Sequence, residues 1–286
     1  MNYSPLRYPG GKSVLYKYIS AVIDSNNLNN YTYIELFAGG AGLALALLFN
    51  NKVRDVVIND LDFCVYSFWS SVLNETEELC EKITCTDVTM EERIIQKKIY
   101  NDPQNHSRLD VGFATLFLNR TNRSGILRGG VIGGNAQVGD YLIDCRFNKI
   151  EIIRRIQAIA EYKERIALLN LDASEFLSTQ DEILRRWCFL YLDPPYVVKG
   201  GNLYKNALAR EDHAELARMV KSRLRSRKWI ITYDNDSLIN ELYQAFQREI
   251  YDLSYTASEK RIGSEVMIFS PAINIPRQAI IRTVRR

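Results

Sequence analysis

Short apolar runs alternate with helical segments in two separate parts of the chain. In the first part, strand-like runs at residues 33–37 and 56–60 lie on either side of an apolar helical segment at 43–49. Runs of this length that alternate with helices are typical of parallel strands joined by helical crossovers and covered on both faces. The pattern therefore predicts an α/β fold built on a mostly parallel sheet.

The second part begins near residue 149 with a helical pattern that continues to residue 165. The segments after it are predicted strands at 166–171, 187–190, 229–233, 250–255 and 265–270, with a helix at 210–223. Between the two parts, residues 61–116 have a helical pattern without strand–helix alternation. We therefore predict a helical insertion in the α/β fold.

The end of this insertion, residues 119–147, is dense in glycine and arginine. We predict a hairpin here, with residues 141–147 as its second arm; the alternative is a mobile surface loop. Glycines allow close backbone approach, and arginines contact phosphates and base edges. The side chains in this segment that we expect to contact nucleic acid are those of Arg120, Asn122, Arg123, Arg128 and Arg146. Of these, Arg123 or Arg128 would contact bases, whereas Arg120 and Arg146 would anchor phosphates or the base of the hairpin itself.

The most informative polar group follows the run at 187–190, where Asp193, Pro194, Pro195 and Tyr196 form a corner. Consecutive prolines cannot continue a strand, because each lacks a backbone N–H and has a fixed φ. Ligands bind at this edge of an open α/β sheet. Asp193 and the carbonyl of Pro194 could accept hydrogen bonds from the exocyclic amine of a nucleobase, and Tyr196 could stack on the base. The structural alternative is a cis-proline turn with a capping aspartate.

A glycine-rich turn follows the first predicted strand. Gly39, Gly40 and Gly42 lead into a helix whose free N–H groups suit a carboxylate or phosphate. Asp60, about 20 residues later, lies where an acidic residue commonly binds ribose hydroxyls. The NAD fingerprint G-x-G-x-x-G is not met, because Leu45 occupies its third glycine position. These features indicate a nucleoside-bearing cofactor, either a dinucleotide or S-adenosylmethionine; the alternative is a tight turn without a ligand.

Two further candidates also have structural alternatives. Lys12 follows two glycines, but Leu6 stands where a P-loop requires glycine, and no strand precedes it. Lys12 could pair with the carboxylate of a methionine group, support a target base, or be exposed at a helix start. Asp172 could contact a cofactor or cap the next helix, since Asp-x-x-Glu has the spacing of a capping box.

Composition limits the class of protein without selecting a function. With 286 residues, of which 47% are hydrophobic and 25% charged, the chain has the composition of a soluble globular protein. A net charge of +3 permits nucleic-acid binding without arguing for it. The first residues contain no apolar h-region, and no apolar run approaches the roughly 20 residues of a membrane span.

Cysteine and histidine usage excludes several kinds of site. The 5 cysteines are scattered and form no CxxC pair, which indicates buried, reduced thiols in a cytosolic protein. His106 and His213 are the only histidines in the sequence. This inventory argues against zinc and Ser-His-Asp chemistry, so we expect no metal.

The order of the motifs resembles that of a known family. The segments are L-R-Y-P-G-G-K at 6–12, E-L-F-A-G-G-A-G at 35–42, N-D-L-D at 59–62, L-D-A-S-E-F at 171–176 and L-D-P-P-Y at 192–196. Together they span most of the chain and are similar to those of the Dam-type (class D12) adenine-N6 DNA methyltransferases. One position departs from the family's F-x-G-x-G pattern, because Ala41 stands where that pattern has glycine.

The resemblance implies an S-adenosylmethionine-dependent, Rossmann-like methyltransferase fold with a seven-stranded sheet. It divides the chain into a catalytic domain at 1–62 and 150–286 and a target-recognition domain at 63–149, with the hairpin at 119–147. It further implies that a methyl group passes from S-adenosylmethionine to N6 of an adenine flipped out of duplex DNA. S-adenosylhomocysteine is then the product, and no metal takes part.

The resemblance also assigns roles to individual residues. The implied catalytic residues are Asp193, Pro194, Pro195 and Tyr196. The implied cofactor contacts are Tyr8, Lys12, Glu35, Phe37, Gly39, Gly40, Asp60, Asp172, Ala173 and Asp193. In that family the segment around the inserted hairpin contacts the target sequence. We expect DNA contacts from Arg120, Asn122, Arg123, Arg128 and Arg146 in that segment, and Lys260 and Arg261 are further candidates.

We expect duplex DNA as the partner, with no membrane and no obligate protein partner. The expected location is the prokaryotic cytoplasm, near the nucleoid, for a host-encoded or phage-encoded enzyme. Three alternatives stay open: methylation of cytosine N4, methylation of RNA, and a catalytically silent DNA-binding module. The intact pair of Asp193 and Tyr196 argues against the silent module.

Overall fold

A seven-stranded sheet forms the centre of the computed structural model, which describes residues 3–7, 11–185, 187–197, 208–256 and 260–276. The strands are β1 (Thr32–Glu35), β2 (Asp55–Asn59), β3 (Ile166–Leu169), β4 (Cys188–Leu192), β5 (Lys228–Asp234), β6 (Gln247–Thr256) and β7 (Lys260–Phe269). Their order in the sheet is β3-β2-β1-β4-β5-β7-β6. The α/β fold with a seven-stranded sheet is therefore confirmed.

The sheet is mixed. Strands β1 to β5 are parallel, whereas β7 lies antiparallel between β5 and β6. The strand order reverses between β1 and β4, which are neighbours with Glu35 opposite Tyr191. The turns that follow these two strands thus start side by side, at the switch point where open α/β sheets bind their ligands.

Helices cover both faces of the sheet. The α-helices of the described residues are α1 (Tyr16–Ser25), α2 (Gly42–Phe49), α3 (Phe63–Asn74), α4 (Thr76–Cys85), α5 (Met90–Asn101), α6 (Arg108–Thr121), α7 (Lys149–Ala160), α8 (Ala173–Thr179), α9 (Asp181–Arg185), α10 (Arg210–Arg223) and α11 (Ser237–Leu242). Alternate residues of each strand enter two apolar clusters, one with α1, α2, α3 and α7 and the other with α8, α10 and α11. Burial on both faces explains the continuous apolar runs of the strands.

The insertion between β2 and β3 is helical, as its periodicity predicts. Helices α3 and α6 lie close together, and a Cβ at Gly112 would be 2.8 Å from the Ser67 carbonyl oxygen. Side-chain N-caps begin α3, α5 and α6 at Asp62, Thr89 and Ser107. The buried side chains of α3, α4 and α6 belong largely to the cluster that includes α1 and α2, so the insertion shares its core with the sheet.

The predicted hairpin at 119–147 is wrong. Helix α6 continues to Thr121, and the following segment contains turns and one isolated bridge between Asn122 and Val131. Ser124 and the glycines at 125, 133 and 134 have positive φ, which interrupts an extended backbone. Residues 141–147 form turns, with the Phe147 amide donating to the Asp144 carbonyl, and do not act as a second strand.

The cysteines are free thiols, but they are not all buried. Cys64 and Cys188 are buried, Cys80 is half-buried, and Cys85 and Cys145 are exposed. The prediction of burial is wrong for the exposed pair because one ends α4 and the other lies in a surface turn. Among the described helices, none has both the length and the apolarity needed to cross a bilayer.

Candidate active site

A cavity at the carboxyl ends of β1, β2 and β4 brings the sequence motifs together. Predicted site residues that line it are Lys12, Glu35, Phe37, Gly40, Asp60, Asp172, Ala173, Asp193 and Pro195. Gly39 and Pro194 are buried immediately beside these lining residues. Tyr8 lies outside the described residues. The elements of the fold therefore place one glycine turn and one prolyl corner on the same cavity.

Glu35 joins the end of β1 to the start of α2. Its Oε1 atom accepts hydrogen bonds from the Tyr33 hydroxyl at 3.1 Å and from the Ala44 amide at 3.0 Å. Burial raises the pKa of the Glu35 carboxyl to about 8, although both hydrogen bonds oppose that increase. Glu35 thus has a structural function in the turn in addition to lining the cavity.

The turn between β1 and α2 depends on two left-handed residues. Gly39 has φ 47° and Ala41 has φ 46°. The indole Nε1 of Trp69 donates to the Gly39 carbonyl at 2.8 Å, which fixes the turn from α3. Ala41 therefore adopts the conformation that favours glycine, at the position where the family pattern has glycine.

Asp60 holds this turn from the end of β2. Its carboxylate accepts the Gly39 amide at 2.7 Å and the Asp62 amide at 2.9 Å. Burial raises the pKa of Asp60 to about 7. Asp60 lines the cavity as the sequence predicts, and it also fixes the shape of the cavity wall.

Asn59 is a residue that the sequence motifs did not single out for a role. Its amide Nδ2 donates to the carbonyls of Leu36 and Leu171, both at 2.9 Å, and its Oδ1 accepts the Leu171 amide. This fully buried side chain therefore ties together the segments that follow β1, β2 and β3. Asp172 beside it caps α8 by accepting the Ser174 amide at 2.8 Å, so the capping interpretation is confirmed while the residue also lines the cavity.

Asp193 leaves β4 at the prolyl corner and faces a cation. Its Oδ1 accepts the Thr232 hydroxyl at 2.8 Å and lies 3.1 Å from the Lys12 Nζ. Burial raises the pKa of Asp193 to about 6, and the Lys12 ammonium opposes this increase. The peptide bonds of the described residues are all trans, so a cis-proline turn is not the reason for the corner.

Glu265 of β7 completes a buried polar cluster that sequence reasoning missed. Its carboxylate accepts the hydroxyls of Tyr196 and Tyr251 at 2.5 and 2.6 Å, and it lies 3.7 Å from the Lys12 Nζ. Lys12 also donates to the Tyr196 hydroxyl at 2.7 Å. A glutamate directly before the apolar run at 266–269 was the available signal, because a charge rarely enters a central strand without a partner.

This cluster comprises Lys12, Asp193, Tyr196, Tyr251 and Glu265, which are joined by hydrogen bonds and ion pairs. No group of three or more potential metal ligands occurs within the described part of the chain. One buried ammonium lies between two carboxylates. Both carboxylates are thus within ion-pair distance of the Lys12 ammonium.

Two predicted DNA contacts are corrected by the structure. Asn122 is fully buried, accepts the Arg93 guanidinium at 2.8 Å, and donates to the carbonyls of Ile126 and Leu127. Asn122 is wrong as a DNA contact because its amide is occupied inside the protein.

Arg120 is corrected for a similar reason. Its guanidinium donates to the carbonyls of Pro5 and Arg146. Burial, together with the nearby charges of Arg155 and Arg7, lowers the pKa of Arg120 to about 10. Arg120 therefore anchors the segment to the rest of the protein, and its guanidinium is occupied by backbone carbonyls.

The remaining arginines of the segment are exposed. Arg123 donates to the Val131 carbonyl through Nε, and Arg146 lies over the Tyr141 ring. Arg128 is exposed close to Tyr100. The side chains of Lys260 and Arg261 lie outside the described set, so their predicted role stays a prediction.

Asn119, which was not assigned a role from the sequence, connects this segment to the amino-terminal motif. Its Oδ1 accepts the Arg7 amide at 2.7 Å, and its Nδ2 donates to the carbonyls of Arg7 and Gly125 at 2.9 Å. Gly125 lies so close that an added Cβ would be 1.9 Å from the Arg7 carbonyl oxygen. These contacts thus join the glycine-rich segment to Arg7, which precedes Lys12 in the chain.

Comparisons with known proteins give one family assignment. The protein PH1948 from Pyrococcus horikoshii, provisionally described as an RNA methyltransferase, aligns with 93% of this chain and 84% of its own at 10% identity and a TM-score of 0.43. The rRNA methyltransferase aviRa from Streptomyces viridochromogenes aligns with 93% of this chain and 87% of its own at 12% identity and a TM-score of 0.41. Similarities at this level do not indicate a substrate. Among curated proteins, none shows significant similarity to this chain. The family model for D12 class N6 adenine-specific DNA methyltransferases matches residues 8–257, and the chain therefore belongs to that family.

Proposed function

We propose that this protein transfers a methyl group from S-adenosylmethionine to N6 of an adenine that has been flipped out of duplex DNA. The observation that carries the proposal is that one cavity receives both the glycine turn after β1 and the Asp193 corner after β4. A cofactor and an amine bound there would meet at the switch point of the sheet. Family membership supports adenine N6 as the acceptor.

The cavity fits S-adenosylmethionine. Asp60 and Asp172 line it beside the apolar side chains of Phe37 and Leu171, which suits a ribose next to a flat base. Helix α2 begins at Gly42 on the cavity wall, where free N–H groups suit the carboxylate of a methionine group. When bound, S-adenosylmethionine supplies an electrophilic methyl group on its sulfonium.

The prolyl corner supplies the acceptors for the nucleophile. An exocyclic amine attacks poorly because its lone pair is delocalised into the ring. Asp193 and the Pro194 carbonyl accept its two N–H groups, which favours a tetrahedral nitrogen with its lone pair directed at the methyl group. The N–CH3 bond would form as the S–CH3 bond breaks, which leaves S-adenosylhomocysteine. The Asp193 carboxylate would stabilise the positive charge that develops on nitrogen until one N–H proton passes to solvent.

The position of this carboxylate supports extrusion of the target base from the helix. The Asp193 side chain is 22% exposed and lies at the wall of the cavity. A base that remains stacked in a duplex would not reach this carboxylate, so the proposal includes extrusion of the base at a cost of about a few kcal/mol. Tyr196 is half-buried at the same corner and offers a ring on which the extruded base stacks.

We assign target recognition to residues 63–149, with the exposed arginines at 123, 128 and 146 as the side chains that face DNA. Arg123 and Arg128 are the candidates for base contacts, since each is close to glycines that let the backbone approach. An enzyme of this kind acts on DNA in the cytoplasm of a prokaryote. No partner protein is needed for this scheme.

Expression in cells without DNA methylation, followed by sequencing that detects modified bases, tests the function. We expect N6-methyladenine in one sequence context with the wild-type protein and none with Asp193→Ala. Asp24→Ala is the matched control, because Asp24 is an exposed carboxylate paired with Lys52 away from the cavity. N4-methylcytosine would overturn the adenine assignment, and methylation of RNA alone would overturn the DNA assignment. Absence of any methylation would overturn the enzymatic function.

Alanine variants of Arg123, Arg128 and Arg146 test the recognition segment on single-substituted duplexes at two salt concentrations. Loss of a phosphate contact weakens binding to all sequences and lowers the salt slope by about one. Loss of a bidentate contact to guanine costs about 1–3 kcal/mol at one base pair. If none of the variants changes sequence preference, the Lys260–Arg261 segment is the next candidate.

A further inference from the structure

The nitrogen of Lys12 lies where the target amine needs to form a hydrogen bond. Lys12 Nζ is 3.1 Å from Asp193 Oδ1 and 2.7 Å from the Tyr196 hydroxyl. The lysine is 7% exposed. A base that presents its amine to Asp193 therefore competes with an ammonium that the protein itself supplies.

Displacement of a buried ammonium is unfavourable unless another acceptor receives it. Glu265 Oε2 lies 3.7 Å from Lys12 Nζ. This separation is longer than a hydrogen bond but within ion-pair distance. The Lys12 ammonium is therefore within ion-pair distance of both carboxylates.

Glu265 is built to remain in place during this exchange. It is 1% exposed and accepts the hydroxyls of Tyr196 and Tyr251, which fix both of its oxygens. A neutral side chain could hold two tyrosines without the cost of burying a charge. The negative charge of Glu265 is explained if this carboxylate balances the positive charge of Lys12.

We propose that Glu265 is a positioning residue of the methyl-transfer site: it receives the Lys12 ammonium when the target amine takes the place beside Asp193, and it keeps the Tyr196 hydroxyl in position. Lys12 then acts as a stand-in for the amine in the free enzyme. This inference rests on the proposed function, because it requires an amine substrate at Asp193.

A double-mutant cycle tests the proposal with tritiated S-adenosylmethionine and unmethylated plasmid DNA. The variants are Glu265→Gln, Lys12→Met and the double variant, with kcat/KM as the readout. We expect Glu265→Gln to lower kcat/KM at least tenfold in the wild-type background. In the Lys12→Met background we expect a loss of less than threefold, because the ammonium that Glu265 would receive is then absent. Glu265→Asp, which keeps the charge, should recover part of the loss.

Glu249→Gln is the matched control. Glu249 lies on the neighbouring strand β6 and also accepts a tyrosine hydroxyl, that of Tyr18, but forms no ion pair with Lys12 among the described residues. It should leave kcat/KM within twofold in both backgrounds. Equal losses from Glu265→Gln in both backgrounds would show that Glu265 only holds its tyrosines, and would overturn the proposal.

Urea unfolding of the same variants separates misfolding from lost positioning. Folded variants with unchanged unfolding midpoints and a non-additive kcat/KM support the positioning role. Coupling that appears in stability but not in kcat/KM overturns it. A wild-type protein that transfers no methyl group would instead overturn the proposed function itself, so the two failures are distinguishable.

Discussion

Replacement of Lys12 by methionine should move the acidic limb of the pH–activity profile to higher pH. Asp193 must be ionised to accept its N–H group of the amine and to stabilise the charge that develops on nitrogen, so its protonation ends activity on the acidic side. Burial raises the pKa of Asp193 to about 6, with Glu265 adding to the increase and Lys12 and Thr232 opposing it. Removal of the ammonium leaves the raising effects in place.

The size of the movement follows from the short distance between the charges. Lys12 Nζ lies 3.1 Å from Asp193 Oδ1, and an opposite charge so close lowers a carboxyl pKa by about 1–3. Without it, the pKa of Asp193 should lie between about 7 and 9. At neutral pH the ionised fraction of Asp193 then falls from about nine-tenths to between about one-half and one-hundredth, while in alkaline solution it recovers.

The assay is kcat/KM for methyl incorporation into unmethylated plasmid DNA, measured across pH, because this parameter reports the ionisation of the free enzyme. The limb position is independent of any uniform loss of activity in the variant. Lys52→Met is the matched control, since Lys52 pairs with the exposed Asp24. An acidic limb at the same or lower pH in Lys12→Met would refute the assignment of this limb to Asp193.

Four further outcomes are expected. Asp193→Ala should lower kcat at least roughly 10²–10³-fold and leave duplex binding by anisotropy within a few-fold; residual turnover above about one per cent would contradict its central role. Asp60→Ala should weaken S-adenosylmethionine binding in calorimetry, because Asp60 shapes the glycine turn, and unchanged affinity would refute the cofactor assignment. Ala41→Gly should raise the free energy of unfolding by roughly 0.5–1 kcal/mol in urea, since φ is positive there, whereas Ala44→Gly within α2 should lower it by about 1 kcal/mol; a less stable Ala41→Gly protein would contradict this. Glu35→Gln should flatten the pH dependence of stability: the folded pKa of about 8 exceeds the ordinary 4.5, so the wild type loses stability as pH rises through that interval, and parallel curves for the two proteins would disprove it.

Residues that follow strand ends could be predicted because a parallel sheet brings such ends together. Asp60, Asp172 and Asp193 each come directly after or close to an apolar run, and all three line the cavity. Their meeting requires only that the runs are neighbouring strands. Local sequence therefore specified this part of the site.

Glu265 and Thr232 could not be found in this way. The contacts of Glu265 depend on the antiparallel pairing of β5, β7 and β6, in which Glu265 is opposite both Asp234 and Tyr251. The Thr232 hydroxyl reaches Asp193 through the parallel pairing of β4 and β5. The register between two strands that are distant in sequence cannot be predicted from either segment alone. The polar cluster around Lys12 is thus a product of tertiary structure.

The error at 119–147 has a different cause. Glycine and arginine density suggested a thin two-stranded element, but Asn119 and Asn122 bind nearby backbone carbonyls that strands would otherwise pair. Asparagine side chains favour turns for this reason. The exposed arginines survive as candidates because their role depends on exposure and not on strand pairing.

The link through Asn119 limits how this enzyme can be re-engineered. The Asn119 side chain forms hydrogen bonds with both the amide and the carbonyl of Arg7. At Gly125 there is no room for a side chain beside the same Arg7 carbonyl. A specificity segment transplanted from another family member would have to bring its own partner for the chain that leads to Lys12. The target sequence therefore cannot be exchanged without regard to the catalytic geometry. In chimeras joined at residue 119 or later, the new segment and the chain around Arg7 will not match each other.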